Sequence, residues 1–306
     1  MPEVSVVVPL YNKQRCIGRC VESIRRQTFH DFEVIVVDDG STDGSFEVFR
    51  SAVEGDARFR LIRQTNAGVS RARNAAIELA NAEIVAFLDA DDEWKPEYLE
   101  AIVSLARANP DAVLLGTGYE ILQGCADLHL RRDLFGGSRK ADILGFFAAW
   151  ARLGGCPLFI GATAARRQDL SAIGGFEVGM NLGEELLAFI RLSERGPIVF
   201  DDRPLAVYHL GREGTLATSP SRSAIRAHEK LLIELRRQTT SGRCPGSVYR
   251  RWMAIHAGYL MRAGQRSELL RFMLQAPGQF ESRVWIATIL EVMGVRYALR
   301  KFLGRA

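Results

Sequence analysis

The stretch VIVVDDGSTDGS, residues Val34 to Ser45, decides the fold class of this chain. Four apolar, β-branched residues run directly into Asp38, Asp39 and a turn of Gly, Ser and Thr. A continuous apolar run of this length is typical of a parallel strand that is covered on both faces. Because open α/β sheets bind ligands at the carboxyl ends of such strands, the stretch predicts a strand that ends at a binding site.

A second stretch of the same kind favours a binding site over a surface turn. A surface turn would also favour Asp, Gly and Ser, so one acid-tipped run does not decide between a turn and a site. The run Ile84 to Leu88 ends in the same way, in the sequence DADD from Asp89 to Asp92. Two acid-tipped strands of one sheet predict one acidic site.

Apolar periodicity predicts the elements around these two strands. Strands alternate with helices over the first ninety residues, which predicts a doubly wound, mostly parallel α/β sheet. The strands are expected at Val4–Val8, Phe32–Val37, Phe59–Arg63 and from Ile84. Three helices are expected between these strands. The first should bury Ile17, Cys20, Val21 and Ile24, and the second should bury Phe46, Phe49 and Val53. The third should run from Gly68 to Ala80.

Further along the chain the pattern is weaker. The stretch Ile143 to Ala165 is apolar but interrupted by Arg152, two glycines and Pro157, which favours a core or acceptor-cleft segment over a membrane span. We further expect a helix at Leu99–Ala108, a strand at Ala112–Gly116, a helix opened by Leu182-Gly183-Glu184-Glu185 and running through Leu192, and one or two strands at Val199–Tyr208. A linker is expected at Thr215–Ser223, followed by helices only. The inward residues of these helices are expected at Ile225, Leu232 and Leu235, at Val248, Trp252, Ile255 and Tyr259, and over Leu269–Leu274 and Trp285–Leu303.

Charge is distributed unevenly along the 306 residues. Residues 212–306 carry 17 Lys and Arg against 6 Asp and Glu, whereas residues 1–211 carry 23 against 30. The chain is therefore expected to comprise an acidic domain at 1–211 and a basic helical region at 212–306. The basic excess favours an anionic membrane surface, an acidic partner or a nucleic acid, or else a set of solvated helix faces.

The five cysteines, at positions 16, 20, 125, 156 and 244, contain no CxxC pair. An odd, scattered set of this kind predicts reduced thiols and a cytoplasmic protein rather than a disulfide framework. Because Val4 begins a predicted strand, no signal peptide is expected.

The acids after the fourth strand suggest a metal. Asp89 and Asp91 lie on the same side of the chain, where they would repel each other unless a cation lay between them. Mg²⁺ is usually held by one or two carboxylates and completes its shell with substrate phosphates, and Asp38 or Asp39 could accept hydrogen bonds from a base or ribose. A nucleotide is therefore the expected ligand, although neither GxGxxG after the first strand nor GxxxxGK[ST] is present.

Six motifs follow one another in an order and spacing that resemble the family 2 glycosyltransferases. They are VSVVVPLYNK, QTFHDFEVIVVDDGSTDGS, NAGVSRARNAAI, IVAFLDADDEW, GGF and GEELLAFIRL, and the resemblance covers about residues 3–211. The resemblance implies a GT-A fold, which is a Rossmann-like, mostly parallel sheet, with a helical C-terminal extension in this chain. It also implies inversion at the anomeric carbon, a nucleoside-diphosphate sugar as donor, with UDP-sugars favoured, and Mn²⁺ or Mg²⁺ as cofactor.

The resemblance also assigns roles to individual residues. It implies that Pro9, Tyr11 and Asp39 contact the nucleoside, and that an arginine of the Arg71–Arg73 segment, Arg71 or Arg73, approaches the diphosphate.

For the metal, the resemblance implies Asp91 as a ligand, with Asp89 beside it at the metal and the nucleotide. His209 falls where related enzymes sometimes offer a metal-coordinating histidine, and a structural histidine is the alternative.

The family usually has Glu-Asp where this chain has Glu184-Glu185. The resemblance makes Glu185 the catalytic base and gives Glu184 a supporting role. A Glu can also take the acceptor proton, but its extra methylene moves the carboxylate.

The leading hypothesis is a metal-dependent inverting glycosyltransferase of cell-surface polysaccharide or glycolipid biosynthesis. Its acceptor would be a saccharide or a lipid-linked molecule, and no nucleic acid is expected. The protein itself would be cytoplasmic or peripheral at the inner face of the cell membrane, in contact with its anionic surface. One alternative is a catalytically degenerate nucleotide-sugar-binding or scaffold protein of the same fold. A nucleotidyltransferase is a third, but the chain lacks a Gly-rich, Lys-containing loop after the first strand.

Overall fold

The computed structural model describes residues 1–123, 127–131, 135, 139–154, 156–180, 183–210 and 222–274. The chain divides into two compact units, Met1–Thr215 and Leu216–Ala306. Cys125, most of the predicted linker and the predicted helix Trp285–Leu303 lie outside the described residues.

One mixed sheet forms the body of the first unit. In chain order its described strands are β1 (Val4–Leu10), β2 (Phe32–Asp38), β3 (Phe59–Arg63), β4 (Ile84–Phe87), β5 (Glu93–Trp94), β6 (Leu114–Gln123), β7 (Asp127–Arg131), β8 (Lys140–Ala141), β9 (Thr163–Arg166) and β10 (Ile198–Leu210). Across the sheet they follow the order β3-β2-β1-β4-β9-β6-β10-β5, with β7 beside β6 and β8 beside β10. Strands β1 to β4 are mutually parallel, as the sequence predicted.

Helices connect these strands. In chain order they are α1 (Ile17–Arg25), α2 (Ser45–Ala52), α3 (Val69–Leu79), α4 (Tyr98–Ala108), α5 (Ile143–Leu153), α6 (Arg167–Ala172) and α7 (Glu184–Ser193) in the first unit, and α8 (Arg222–Thr240), α9 (Gly246–Arg262) and α10 (Arg266–Leu274) in the second. The predicted inner face of α1 is confirmed, because its four apolar residues are all buried. Of the residues predicted to face inward from α2, only Phe49 is fully buried, and Phe46 lies partly exposed beneath Arg63.

The centre of the sheet positions the acidic tips. Val6 of β1 lies opposite Val34 of β2 and Ala86 of β4, and all three side chains are fully buried. Buried aliphatic side chains contribute about 1.5–3 kcal/mol each, so this apolar stripe fixes the register of the three strands. The ends of β2 and β4 therefore lie on either side of the end of β1.

Strands β5 and β9 were not predicted from the sequence. Strand β9 lies antiparallel between β4 and β6, inside the segment predicted to be core or acceptor cleft. Its sequence, TAAR, contains a single β-branched residue, so local propensity does not reveal it and the neighbouring strands decide its conformation. Strand β10 is longer than predicted and contains His209, which was expected to lie just beyond its end.

Three helices make up the described part of the second unit. Its core consists of Ile225, Ala257, Leu260 and Leu269. On α9 the buried face passes through Met253 and His256, whereas the predicted Trp252 and Ile255 are only partly buried. Val248 and Tyr259 are buried as predicted, but the face of α9 is rotated from the prediction because His256 takes a core position that a hydrophobic pattern does not count.

No described helix combines the length and the apolar character that crossing a bilayer requires. The four cysteines within the described residues, Cys16, Cys20, Cys156 and Cys244, are free thiols.

Candidate active site

The turn after β2 is built around Asp39, which is 3% exposed. Its carboxylate accepts hydrogen bonds from the main-chain N–H groups of Ala67 and Gly68, each at 2.8 Å, and from Nε2 of Gln64 at 2.7 Å. Both oxygens are therefore engaged with the segment that leads into α3. The sequence predicted Asp39 as a nucleoside contact, and the structure adds that this acid also shapes the turn before α3.

The neighbouring Asp38 faces the protein interior. Its side chain has no exposed surface, and its carboxylate lies 3.1 Å from Nε of Arg63 and 3.3 Å from the main-chain N of Ser41. The sequence left Asp38 and Asp39 as alternatives for hydrogen bonding to a base or ribose. In this arrangement Asp38 secures the turn with Arg63 and offers no free surface to a nucleotide.

The loop after β1 presents Tyr11 to solvent. Asn12 adopts a left-handed backbone conformation with φ of 51°. Its main-chain N donates to Oγ of Ser41 at 3.0 Å, and its Oδ1 accepts from the main-chain N of Thr42 at 2.9 Å. Because these bonds fasten the loop to the turn after β2, Tyr11 stays 46% exposed beside the predicted nucleotide site. Pro9, by contrast, lies within β1 rather than in the loop.

Two cations lie against the acids at the tip of β4. Nη2 of Arg73 lies 2.7 Å from Oδ1 of Asp89, and Nζ of Lys13 lies 2.5 Å from Oδ2 of Asp91. Arg19 of α1 donates in addition to the main-chain carbonyl of Asp91. The like-charge repulsion that the sequence predicted between these acids is thus already reduced by basic side chains of the chain itself.

The third acid of this tip, Asp92, is buried and differently bound. Its Oδ1 accepts from the main-chain N–H of His209 at 2.9 Å, and its Oδ2 has no hydrogen-bond partner. Burial and the nearby Asp91 and Asp89 carboxylates raise the pKa of Asp92 well above its usual value. Both effects favour the protonated form of the Asp92 carboxyl group.

Arg73 joins the tip of β4 to the start of α7. It is 3% exposed, and its Nη1 lies 2.9 Å from Oε1 of Glu184 while its Nη2 contacts Asp89. Burial would lower its pKa, but the Asp89 and Glu184 carboxylates outweigh that effect and raise the pKa above the ordinary arginine value. Arg71, two residues earlier, is exposed, so only one of the two predicted arginines is directed to solvent.

The two glutamates at the start of α7 have different surroundings. Gly183, at φ of 76°, precedes the helix, and Glu184 is buried against Arg73 with its Oε2 unpartnered. Glu185 is partly buried. Burial and the Glu184 carboxylate raise the pKa of Glu185 to about 8, and the charge of Arg73 opposes this shift. A general base works best when its pKa lies near the working pH, and the raised pKa of Glu185 meets this requirement.

The GGF motif holds the ring beneath Arg73. Gly175 has φ of 70°, and a Cβ at this position would lie 2.5 Å from Oδ1 of Asn74. That amide accepts from the main-chain N of Phe176 and donates to its carbonyl, each at 2.8 Å. The Phe176 ring then lies 5.3 Å from the Arg73 guanidinium carbon, within the range of a cation–π contact. Three of the quoted motifs thus meet at Arg73.

The predicted metal ligands are only partly brought together. Nε2 of His209 lies 2.9 Å from Oε1 of Glu93, and no three His, Cys, Asp or Glu side chains among the described residues form a metal-binding group. The geometry of His209 fits the structural alternative that the sequence left open. Asp89 and Asp91 remain partly exposed hard-oxygen donors, a set that fits a Mg²⁺ or Mn²⁺ ion completed by phosphate oxygens.

Sequence reasoning missed the basic residues around the acids. Lys13 was quoted within VSVVVPLYNK without a role, and Arg19 was not considered. One signal was available, since a cluster of carboxylates at a strand tip requires counter-charge, and both residues follow the end of the adjacent β1. The packing of Gln64 on Asp39 had no signal in the sequence.

Solved structures share this fold. The structure of S. aureus TarS, residues 1–349, with UDP-GlcNAc has a TM-score of 0.63 at 20% identity over 98% of this chain and 84% of that one. The mannosyltransferase PcManGT from Pyrobaculum calidifontis, with GDP-Man and Mn²⁺, has a TM-score of 0.60 at 19% identity over 100% of this chain and 88% of that one. The shared fold is GT-A, with a helical C-terminal part, as predicted from the sequence.

Curated relatives match less than half of the chain. A chondroitin synthase from Pasteurella multocida is 35% identical over 133 residues, which is 39% of this chain and 14% of that protein. Other relatives are 37–43% identical over 104–119 residues, and the chain spans only about a third of their lengths, 30–34%.

The sequence profile described as "Glycosyl transferase family 2" matches residues 5–173, which is more than half of the chain. The matched segment contains the tips of β2 and β4, Arg73 and the segment that leads to the GGF motif. The chain belongs to the family 2 glycosyltransferases.

Proposed function

We propose that this protein is an inverting glycosyltransferase that moves a sugar from a nucleoside-diphosphate sugar to an acceptor hydroxyl. The observation that carries the proposal is the contact of Arg73 with both Asp89 and Glu184. Through this buried guanidinium, the acids at the end of β4 and the glutamates at the start of α7 belong to one site. A donor diphosphate bound near the acids at the end of β4 and an acceptor bound near the glutamates of α7 would then lie next to each other.

The donor half of the site is assigned to the tips of β1 and β2 and the start of α3. Tyr11 offers an exposed ring to the base, and Asp39 holds the turn that borders it. We assign the diphosphate contact to Arg71, because Arg73 is already paired with two carboxylates and Arg71 is exposed. UDP-sugars are the favoured donors, since the TarS structure contains UDP-GlcNAc, although GDP-Man occurs in PcManGT.

A divalent cation, Mn²⁺ or Mg²⁺, would be held by Asp91 with Asp89 beside it. When bound, such an ion would neutralise charge that develops on the leaving diphosphate. The partial exposure of both carboxylates and the Mn²⁺ in PcManGT support this assignment. The chain's own contribution is to position the two acids, Asp89 through Arg73 and Asp91 through Lys13.

Glu185 is the proposed general base. Its carboxylate would take the proton of the acceptor hydroxyl while that oxygen bonds to the anomeric carbon and the bond from this carbon to the diphosphate oxygen breaks. Its raised pKa suits a base that must work near neutral pH. Glu184, fixed by Arg73, would orient the helix start and the acceptor rather than accept the proton.

The acceptor is proposed to be a saccharide or a lipid-linked glycan of cell-surface polysaccharide or glycolipid synthesis. The chondroitin synthase among the relatives supports a polysaccharide product. We also propose peripheral contact of the basic helical unit with an anionic membrane, because α8 and α9 expose arginines, Arg226, Arg236, Arg250 and Arg251. Each basic residue near such a surface gains about 1 kcal/mol, so sedimentation with anionic vesicles should be salt-sensitive. Failure to bind such vesicles at low salt would remove this part of the proposal.

Donor turnover tests the proposed activity. The protein should release nucleoside diphosphate from one member of a panel of UDP- and GDP-sugars with Mn²⁺, faster when saccharide acceptors are added. The panel can be narrowed beforehand by thermal shift, since a ligand that binds only the folded state raises its stability.

Asp91→Asn should lose metal-dependent nucleotide binding, whereas Asp111→Asn, which alters an exposed acid paired with Lys140, should not. If donors bind and no donor is ever turned over, the degenerate nucleotide-sugar-binding protein is the correct interpretation. If no nucleotide sugar binds at all, the proposal fails.

A further inference from the structure

The two acids of the proposed metal site are neutralised by cations in different environments. Asp89 pairs with Arg73, which is buried and is held by a second carboxylate and an aromatic ring. Asp91 pairs with Lys13, and both of these side chains are partly exposed, at 33% and 37% respectively. A buried, doubly paired guanidinium is costly to move, whereas an exposed ammonium can exchange its partner for water. Of the two ion pairs, the Lys13–Asp91 pair is therefore the one that a new cation can break at the lower cost.

The backbone around Lys13 directs its side chain to Asp91. The main-chain N of Lys13 donates to Oγ of Ser45 at 2.7 Å, directly after Asn12 in its left-handed conformation. On the other side, Arg19 holds the carbonyl of Asp91. Both ends of the pair are thus fixed through the main chain, while the four-carbon stem of Lys13 keeps its freedom to move.

We propose that Lys13 is the resident counter-cation of Asp91, and that a divalent metal ion binds Asp91 in competition with the Lys13 ammonium. This inference rests on the proposed function, because Asp91 is a metal ligand only within it. A dication on the Asp91 carboxylate repels the ammonium that lies 2.5 Å from Oδ2, so each cation weakens the binding of the other.

The consequence is that the protein without nucleotide binds metal weakly. Lys13 competes for the carboxylate until a diphosphate supplies the additional oxygen ligands that a metal ion of this kind requires. Lys13 is therefore a residue that couples metal binding to donor binding, rather than a catalytic residue.

Titration of the nucleotide-free protein with Mn²⁺, followed by the electron paramagnetic resonance signal of the free ion, tests this. Lys13→Met should bind Mn²⁺ about two- to fivefold more tightly than the wild type, the factor expected for loss of a partly exposed ion pair. The double variant Lys13→Met, Asp91→Asn should lose this gain, which would place the effect at Asp91.

Lys140→Met is the matched control, because Lys140 forms an exposed pair with Asp111 at 2.8 Å and its loss changes the net charge equally. Its Mn²⁺ affinity should equal that of the wild type. Equal or weaker binding by Lys13→Met would overturn the inference, as would an equal gain in Lys140→Met. Absence of Mn²⁺ binding in every variant would also overturn the inference. Donor turnover in the presence of a chelator would then show that the proposed transferase activity does not depend on the metal.

Discussion

The two units of this chain treat buried polar groups in opposite ways. In the first unit, the buried side chains with an unpartnered atom include the ionisable groups Arg73, Asp92 and Glu184. In the second unit, His228 and His256 also keep unpartnered ring nitrogens, and their rings lie 6.0 Å apart among aromatic side chains. Burial lowers the pKa of both histidines to about 4, so they are neutral at pH 7.

The first unit thus buries ionisable side chains that form ion pairs, whereas the second unit buries histidines that are neutral. Burying an ionised group with unsatisfied atoms opposes folding, so a cluster of such groups marks a site where charge is needed for another purpose. Neutral imidazoles in a helical core cost less, and they behave as polar members of the packing. Catalysis is therefore expected to depend on the first unit, and acid sensitivity on the second.

The largest expected effect concerns the proposed base. Glu185→Gln should lower kcat by about 10²- to 10⁴-fold, because a general base acts in the transition state. Donor affinity should be unchanged, since that group does not stabilise the ground state. Single-turnover transfer and calorimetric donor titration measure the two quantities. The control is Glu177→Gln, a glutamate paired with Arg191 away from the acids, and a nearly wild-type rate in Glu185→Gln would remove this residue from the chemistry.

The second-largest expected effect comes from removal of the buried Arg73 guanidinium. Arg73→Met should lower the free energy of unfolding by about 3–5 kcal/mol, since it leaves the carboxylates of Glu184 and Asp89 without their partner. Arg191→Met, which removes a partly exposed pair, should cost no more than about 1 kcal/mol. Guanidinium unfolding compares them, and a similar small loss in both would contradict the role of Arg73 in holding the site together.

Low pH should change the stability of the two units differently. The pKa values of His228 and His256 are lowered in the folded state, so their stabilising effect is complete above about pH 6.5 and is lost as the pH falls towards 4. A full shift of this size corresponds to a loss on the order of 3 kcal/mol for one histidine. The raised pKa of Asp92 has the opposite sign and favours the protonated folded state of the first unit at low pH.

Circular dichroism during acid titration measures this difference. His228→Phe, His256→Phe should retain helical signal at a pH where the wild type loses it. If both proteins lose helix at the same pH, the buried histidines do not control the acid response.

The smallest effect concerns the pH dependence of transfer. A base with a raised pKa is protonated below that value, so kcat should rise with pH through a midpoint near 8. Glu184→Gln removes a neighbouring negative charge and leaves Arg73 with Asp89 as its remaining carboxylate partner, and both changes lower the pKa of Glu185. The midpoint should move to lower pH by up to about one unit, as measured by kcat against pH. An unchanged midpoint would mean that the two glutamates do not interact.

Much of the first unit could be predicted because its pattern is local. Runs such as Val34 to Val37 specify a buried strand by themselves, and the acids that follow them specify where the sheet carries polar groups. Strand β9 and the rotated face of α9 could not be predicted in this way, because TAAR has little preference of its own and His256 does not count as hydrophobic in the pattern. The surrounding structure determines both.

The sequence by itself determined the alternating fold, the family and the acids at the two strand tips, because apolar periodicity and contiguous motifs need only neighbouring residues. Only the tertiary structure decided which charges meet. The pairing of Lys13 with Asp91 joins β1 to β4, and that of Arg73 with Glu184 joins α3 to α7, so neither leaves a trace in local spacing. Such contacts depend on the order of strands in the sheet and on burial, which strengthens a pairing once water is excluded.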